Sequence, residues 1–290
     1  MKLLIIFFLY LNSAHASHFL TFIIPCYNCE QWVTQAVGSI YQQHLPCPFE
    51  IICTDDGSTD NTFLTLSTLS QKYPEIRVVR HEKNKGGGAA RNTCVLHSRG
   101  DIVFCLDSDN VLIPNTIQLL IQKMDETNAD VVSFGGIQYF VHDLQFSNFV
   151  TYDKMPSQGY SLQDILQNAD SPPWSGNYLF TRESFDLVGG YPELTIDTFG
   201  FGFRQALYKC TMVYVPNTFY WHRVGIEGYY TRESRTRKIQ IDFFDLLLSH
   251  RELFTEGTIH LLEEHRRLAI EDKSFYDQIY FLEKQMIQFH

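Results

Sequence analysis

Residues 103–110 read VFCLDSDN: an apolar run with one cysteine leads straight into Asp107 and Asp109, with Ser108 between them. A buried strand ending in two carboxylates needs a cation or a proton beside them, because like charges that close repel each other. Working outward, FEIICTDD (49–56) repeats the design and ends in Asp55-Asp56, while HFLTFIIP (18–25) is a short β-rich run ended by Pro25. IRVVRH (76–81) and ADVVSFGGIQYF (129–140) read as further strands. Between them the spacing predicts helices over 30–44, 60–73 and 87–98, and one opened by Pro114 in its first turn. Strands alternating with helices of this length predict an α/β fold, a mostly parallel central sheet flanked by helices. Ligands of such sheets sit beyond the carboxyl ends of the strands. That edge carries Pro25-Cys26-Tyr27, Asp55-Asp56 and Asp107-Ser108-Asp109.

The 290-residue chain has the composition of an ordinary globular protein, 44% hydrophobic and 19% charged. Its formal net charge of −10 argues against nucleic acid as a partner, since phosphate backbones call for a basic surface. A small phosphorylated ligand, held by a local site or a metal, stays compatible with that charge. Lys2, the apolar run LLIIFFLYL (3–11) and Ala14-His15-Ala16 form the pattern of a secretory signal peptide over residues 1–16. The run is shorter than the roughly 20 residues that span a bilayer. Seven cysteines, an odd count, fit a disulfide framework poorly. Cys26 and Cys29 have C-x-x-C spacing without a second such pair. Beyond residue 140 the alternation loosens. Residues 141–175 read as loop-rich, 176–222 as short strands and glycine-rich turns, and 236–290 as a helical C-terminal extension.

Four segments carry a resemblance: FIIPCYNCEQWVTQAVGSIYQQ (22–43), FEIICTDDGSTDNT (49–62), NKGGGAARN (84–92) and DIVFCLDSDNVLIP (101–114). Their order and spacing resemble glycosyltransferase family 2, whose fold is of the GT-A type. The resemblance implies a glycosyltransferase domain over 17–235, with a donor half at about 19–130 and an acceptor half at about 131–235. It also implies a nucleotide-sugar donor, UDP foremost, and a glycan, lipid or protein acceptor. Pro25 and Tyr27 would wall the pocket for the base, and Asp56 or Asp55 would accept a hydrogen bond from it. Lys85–Asn92 opens a helix after a glycine run, where an anion is favoured, and Arg91 can reach the diphosphate or a strand-end acid.

Asp107-Ser108-Asp109 occupies the place of the family's D-x-D motif. An oxygen-rich carboxylate pair suits Mn²⁺ or Mg²⁺, with the donor diphosphate completing the octahedron. The resemblance makes Asp109 the more direct metal contact and puts Asp107 nearer the ribose or a metal-bound water. In the acceptor half, VGGYPELTIDTFGFGFRQAL (188–207) matches less closely, because Asp197 is followed by Thr198 and no Glu-Asp pair is present. An inverting transfer needs a carboxylate that deprotonates the acceptor hydroxyl. Asp197 is the candidate for that base, with Glu193 in reserve. In FYWHRVGIEGYYTRES (219–234), His222 is a candidate third metal ligand, and Arg223 and Arg232 are candidate phosphate contacts. Trp174 is either a sugar-stacking residue or part of the core.

Two other functions compete with a metal-dependent, inverting glycosyltransferase. One is an inactive relative that binds a sugar or a partner, supported by the missing acidic pair. The other is a nucleotidyltransferase, for which the N-terminal region has no basic glycine-rich signature. A cleaved signal peptide would place the protein in the secretory-pathway lumen, and an uncleaved one in the cytoplasm or at a membrane.

Overall fold

The computed structural model describes residues 18–141, 145–167, 172–224 and 233–271. The signal-peptide segment 1–16 and Arg232 lie outside the described residues, as does the side chain of Trp174. The chain begins with β1 (Leu20–Cys26), α1 (Val33–Ile40), β2 (Phe49–Asp55), α2 (Thr62–Lys72), β3 (Ile76–Arg80), α3 (Gly87–Leu96) and β4 (Ile102–Cys105). It continues through β5 (Val111–Leu112), α4 (Ile117–Thr127), β6 (Val131–Val141), β7 (Gln145–Thr151), α5 (Leu162–Gln167) and α6 (Pro172–Ser175). The remaining elements are β8 (Tyr178–Thr181), α7 (Arg182–Val188), α8 (Asp197–Leu207), β9 (Met212–Arg223), α9 (Glu233–Leu248) and α10 (Glu256–Ile270).

The described strands form one sheet in the order β3-β2-β1-β4-β8-β6-β9-β5, with β7 paired to β6. The first four strands in that order run parallel, and β6 and β9 are also parallel. β8 enters antiparallel between β4 and β6 and joins the two halves of the sheet. A row of rings crosses that junction: Phe22–Phe104 at 5.8 Å, Phe104–Phe134 at 5.9 Å and Phe134–Tyr220 at 5.5 Å. All four are fully buried, and burying each such side chain is worth about 2–3 kcal/mol. Strands β1, β2 and β4 are buried on both faces, as expected for strands covered by helices on both sides. All seven cysteines are free thiols, and five are buried. Among the described residues no helix is long and apolar enough to cross a membrane.

Two stretches differ from the sequence expectation. Pro114 does not open a helix: Val111 and Leu112 form β5 against β9, and α4 starts at Ile117. Within 176–222, α7 and the 11-residue α8 replace what reads as strand and turn. FGFGF alternates with period two and so mimics a strand. In α8, however, Phe199 and Phe203 face Phe243 of α9, while Phe201 packs on Tyr191 and Phe180 on the other side. A helix buried between two layers is apolar all round. Gly200 is required by the packing, because a Cβ there would stand 2.7 Å from Pro192 Cγ and 3.3 Å from Leu246 Cδ2. The helical C-terminal segment thus packs on α8, and Asp242 of α9 accepts from both the backbone N–H and the hydroxyl of Thr195.

Candidate active site

The parallel strands deliver their carboxyl ends to one edge. Pro25 is partly exposed in β1, opposite Thr54 in the register, and Tyr27 is 47% exposed just beyond the strand. Asn28 takes a left-handed backbone, φ 49°, which turns the chain so that its N–H donates to Ser58 Oγ. Its side-chain oxygen accepts from Thr59 N. The β1 and β2 loops are thereby fastened to each other at this edge.

Asp55 and Asp56 are both buried but do different work. Asp56 accepts from His81 Nδ1 at 2.6 Å, from Lys85 N at 2.9 Å and from Gly86 N at 2.8 Å. Its carboxylate is taken up in fixing the loop that leads into α3. Asp55 accepts from Ser58 N through Oδ1. Its Oδ2 is buried without an aligned donor, although Arg80 Nε lies 3.0 Å away. Asp55 thus has one backbone donor on Oδ1 and the Arg80 guanidinium beside Oδ2.

At the end of β4, Asp107 is fully partnered. Oδ1 accepts from Arg91 Nη2 at 2.5 Å, and Oδ2 from Asn177 Nδ2 at 3.0 Å and Asn110 Nδ2 at 3.5 Å. Ser108 is half-buried and its hydroxyl reaches the Cys29 thiol. Asp109 has its own backbone N–H and no other donor at its carboxylate among the described residues. Burial, and next the charge of Asp107, push its pKa up to about 6. Behind this turn, Arg223 is buried with its guanidinium between the rings of Trp32 and Phe140, 4.2 and 4.4 Å away. Arg223 Nε donates to the Asp109 carbonyl at 3.1 Å and Nη2 donates to Gln35, so this arginine holds the turn from the rear.

Asp197 opens α8 and is buried beside the glycine run. Its Oδ2 accepts from Arg91 Nη1 at 2.7 Å and its Oδ1 from Thr198 N at 2.7 Å. Burial raises its pKa despite the opposing pull of Arg91. The anion favoured at the N-terminus of α3 is therefore Asp197 itself: a Cβ on Gly87 would stand 2.4 Å from its Oδ2. Glu193 is exposed on the preceding loop. His222, in β9, has its pKa lowered by burial, with Asp107 opposing, and its Nδ1 lies 3.4 Å from the Tyr220 hydroxyl. Among the described residues no three His, Cys, Asp or Glu side chains stand close enough to hold a metal by themselves. The donor set still suits a hard cation completed by phosphate oxygens. Asp109 is a carboxyl group whose ionisation burial and a like charge oppose, and His222 is an imidazole whose protonation burial opposes, within electrostatic reach of Asp107. Sequence reasoning reaches neither Asn177 nor His81, since both act on partners brought together only by the fold.

Residues 21–189 match the family model described as glycosyl transferase family 2. The chain belongs to that family. Among known proteins, the glycosyltransferase GlyG of Streptococcus pneumoniae serotype 4 is 31% identical over 174 residues, which cover 59% of this chain and 57% of that protein. The Escherichia coli chondroitin synthase is 37% identical over 108 residues, 37% of this chain and 15% of the synthase. The chain thus spans little more than half, or much less, of these relatives. Solved structures establish the GT-A fold. Staphylococcus aureus TarS 1–349 in complex with UDP-GlcNAc superposes with a TM-score of 0.63 at 19% identity, covering 89% of this chain and 77% of that one. The mannosyltransferase PcManGT from Pyrobaculum calidifontis, in complex with GDP-Man and Mn²⁺, gives 0.61 at 17% identity, covering 94% and 84%.

Proposed function

We propose that this family 2 protein is an inverting glycosyltransferase that moves a sugar from a nucleoside diphosphate sugar, UDP foremost, to a hydroxyl of a glycan, lipid or protein acceptor. One observation carries the reading. The strand-end edge brings together Asp109, whose carboxyl has no side-chain donor among the described residues, a fully held Asp107 and a buried acceptor-side carboxylate at Asp197. The base of the donor lies against Pro25 and Tyr27, at the strand end that carries Asp55 and Asp56. Asp109 and His222 would hold Mn²⁺ or Mg²⁺, with Asp107 oriented behind them. When bound, the cation offsets charge on the departing nucleoside diphosphate.

In the transfer step, Asp197 Oδ accepts the proton of the acceptor hydroxyl. The hydroxyl oxygen forms the new bond to the anomeric carbon, and the bond to the diphosphate breaks with its electron pair on the leaving oxygen. The raised pKa of Asp197 moves it toward that of a working general base. The compartment we propose is the secretory-pathway lumen, on the pattern of residues 1–16.

The test is release of free nucleotide from a panel of UDP- and GDP-sugars with Mn²⁺, with simple sugars as acceptors. Release from one donor that rises with an acceptor supports transfer. Tight nucleotide binding with no release from any donor would instead favour a binding protein without turnover, a reading supported by the ion pair that engages Asp197.

A further inference from the structure

The carboxylates of Asp107 and Asp197 share one cation, and that cation is buried. Arg91 is 7% exposed. Its Nη1 donates to Asp197 Oδ2 at 2.7 Å, its Nη2 to Asp107 Oδ1 at 2.5 Å and its Nε to Cys105 Sγ at 3.4 Å. Each nitrogen of the guanidinium therefore already has a protein acceptor. Two glycines keep the approach open. A Cβ on Gly87 would come within 2.4 Å of Asp197 Oδ2 and 2.7 Å of Arg91 Nη1, and one on Gly88 within 2.3 Å of the Pro192 carbonyl oxygen. The glycine run thus serves the meeting of α3 with the start of α8.

We infer that Arg91 is a positioning residue, which fixes the spacing between Asp107 of the D-x-D turn and Asp197 of the acceptor side and acts on transfer through Asp197 without touching the donor. The inference rests on the proposed role of Asp197. A planar fork can present separate N–H groups to two carboxylates at a set angle, whereas a lysine ammonium is a single point charge on a flexible stem. Arg91 is joined to Asp197 across 106 positions of sequence, so the bridge also locks the donor half to the acceptor half. Misplacing a reacting group by an ångström costs about 100-fold in rate.

The test compares Arg91→Lys, Asp197→Asn and the double variant. Calorimetric Kd for UDP or GDP with Mn²⁺ should stay within about twofold in Arg91→Lys, the scatter of sites that do not interact. KM for the donor should likewise hold, while kcat for nucleotide release falls by about 100-fold. The double variant should be no slower than Asp197→Asn alone, because residues acting as a unit are not additive. A nucleotide Kd weakened by about tenfold (about 1.4 kcal/mol) with kcat retained would make Arg91 a donor contact and overturn the inference. Losses that multiply in the double variant would also overturn it. If the wild type binds and turns over no nucleotide, the proposed function fails on its own. Urea unfolding of Arg91→Met, Asp197→Asn and their combination then decides the bridge. Less-than-additive destabilisation upholds it, and plain additivity refutes it.

Discussion

Strand β4 has a bridged carboxylate pair at each end, and the two bridges differ in kind. Beyond its carboxyl end, Arg91 spans Asp107 and Asp197 in a buried ion pair. Before its amino end, His18 spans Asp101 and Asp125, at 2.6 and 2.8 Å, and Asp101 has a largely exposed side chain. A guanidinium stays charged across the working pH range, and Arg91 is held more firmly so by Asp197 and Asp107, which outweigh its burial. An imidazole titrates near neutrality. Burial works against the charged His18, but hydrogen bonds and charge from Asp101 and Asp125 outweigh it and raise its pKa. The two ends thus differ in the bridging cation: one whose charge pH does not touch, at the candidate site, and one whose charge pH can remove, at the opposite edge of the sheet.

The largest expected effect breaks one bridge at a time. Asp197→Asn should lower the rate of nucleotide release by about 10²–10⁴-fold, the range of a lost general base, with nucleotide Kd held. Asp101→Asn should leave the same rate within about twofold. Equal losses in the two variants would mean that the site end is not special. Next in size is the close approach that makes the buried bridge. Gly88→Ala would overlap the Pro192 carbonyl and should cost about 1–3 kcal/mol in urea unfolding, as overpacking does. Gly38→Ala, in α1 with nothing within 4 Å of the added carbon, should instead stabilise by about 0.5–1 kcal/mol. If both changes are neutral, α3 and α8 do not meet as described.

The smallest effect belongs to His18. Because its folded pKa is raised, its contribution is full below the unfolded value near 6.5 and fades as pH rises through the folded value. His18→Gln should therefore cost stability at pH 5.5, by no more than about 1 kcal/mol for a partly solvated pair. The cost should shrink at pH 9. A penalty that grows with pH would contradict the bridge.

The two ends of the site were not equally legible in the sequence. The acids after β2 and β4 follow apolar runs of strand length, so local pattern alone places Asp55, Asp56, Asp107 and Asp109 on one edge. Asp197 can be named from its motif, but not the helix it opens, because FGFGF has the period of a strand and becomes a helix only between two packed layers. The glycine run reads as a helix start that favours an anion, and only the fold shows that Asp197 and Pro192 lie against it. Arg223 reads as a phosphate contact, whereas its guanidinium is stacked between two rings and holds a carbonyl. Asn177 gives no local signal, since its partner Asp107 lies 70 positions away. What stays hidden is each contact made by long-range packing.

Asp109, whose carboxylate has no side-chain hydrogen-bond donor among the described residues, is on this reading completed by a cation and a nucleotide together. Calorimetry of UDP and of GDP, each with and without Mn²⁺, on the wild type and Asp109→Ala tests it most directly. One nucleotide should bind in the presence of Mn²⁺ and lose that binding in the variant. Binding that is indifferent to Mn²⁺ and to Asp109→Ala would contradict it.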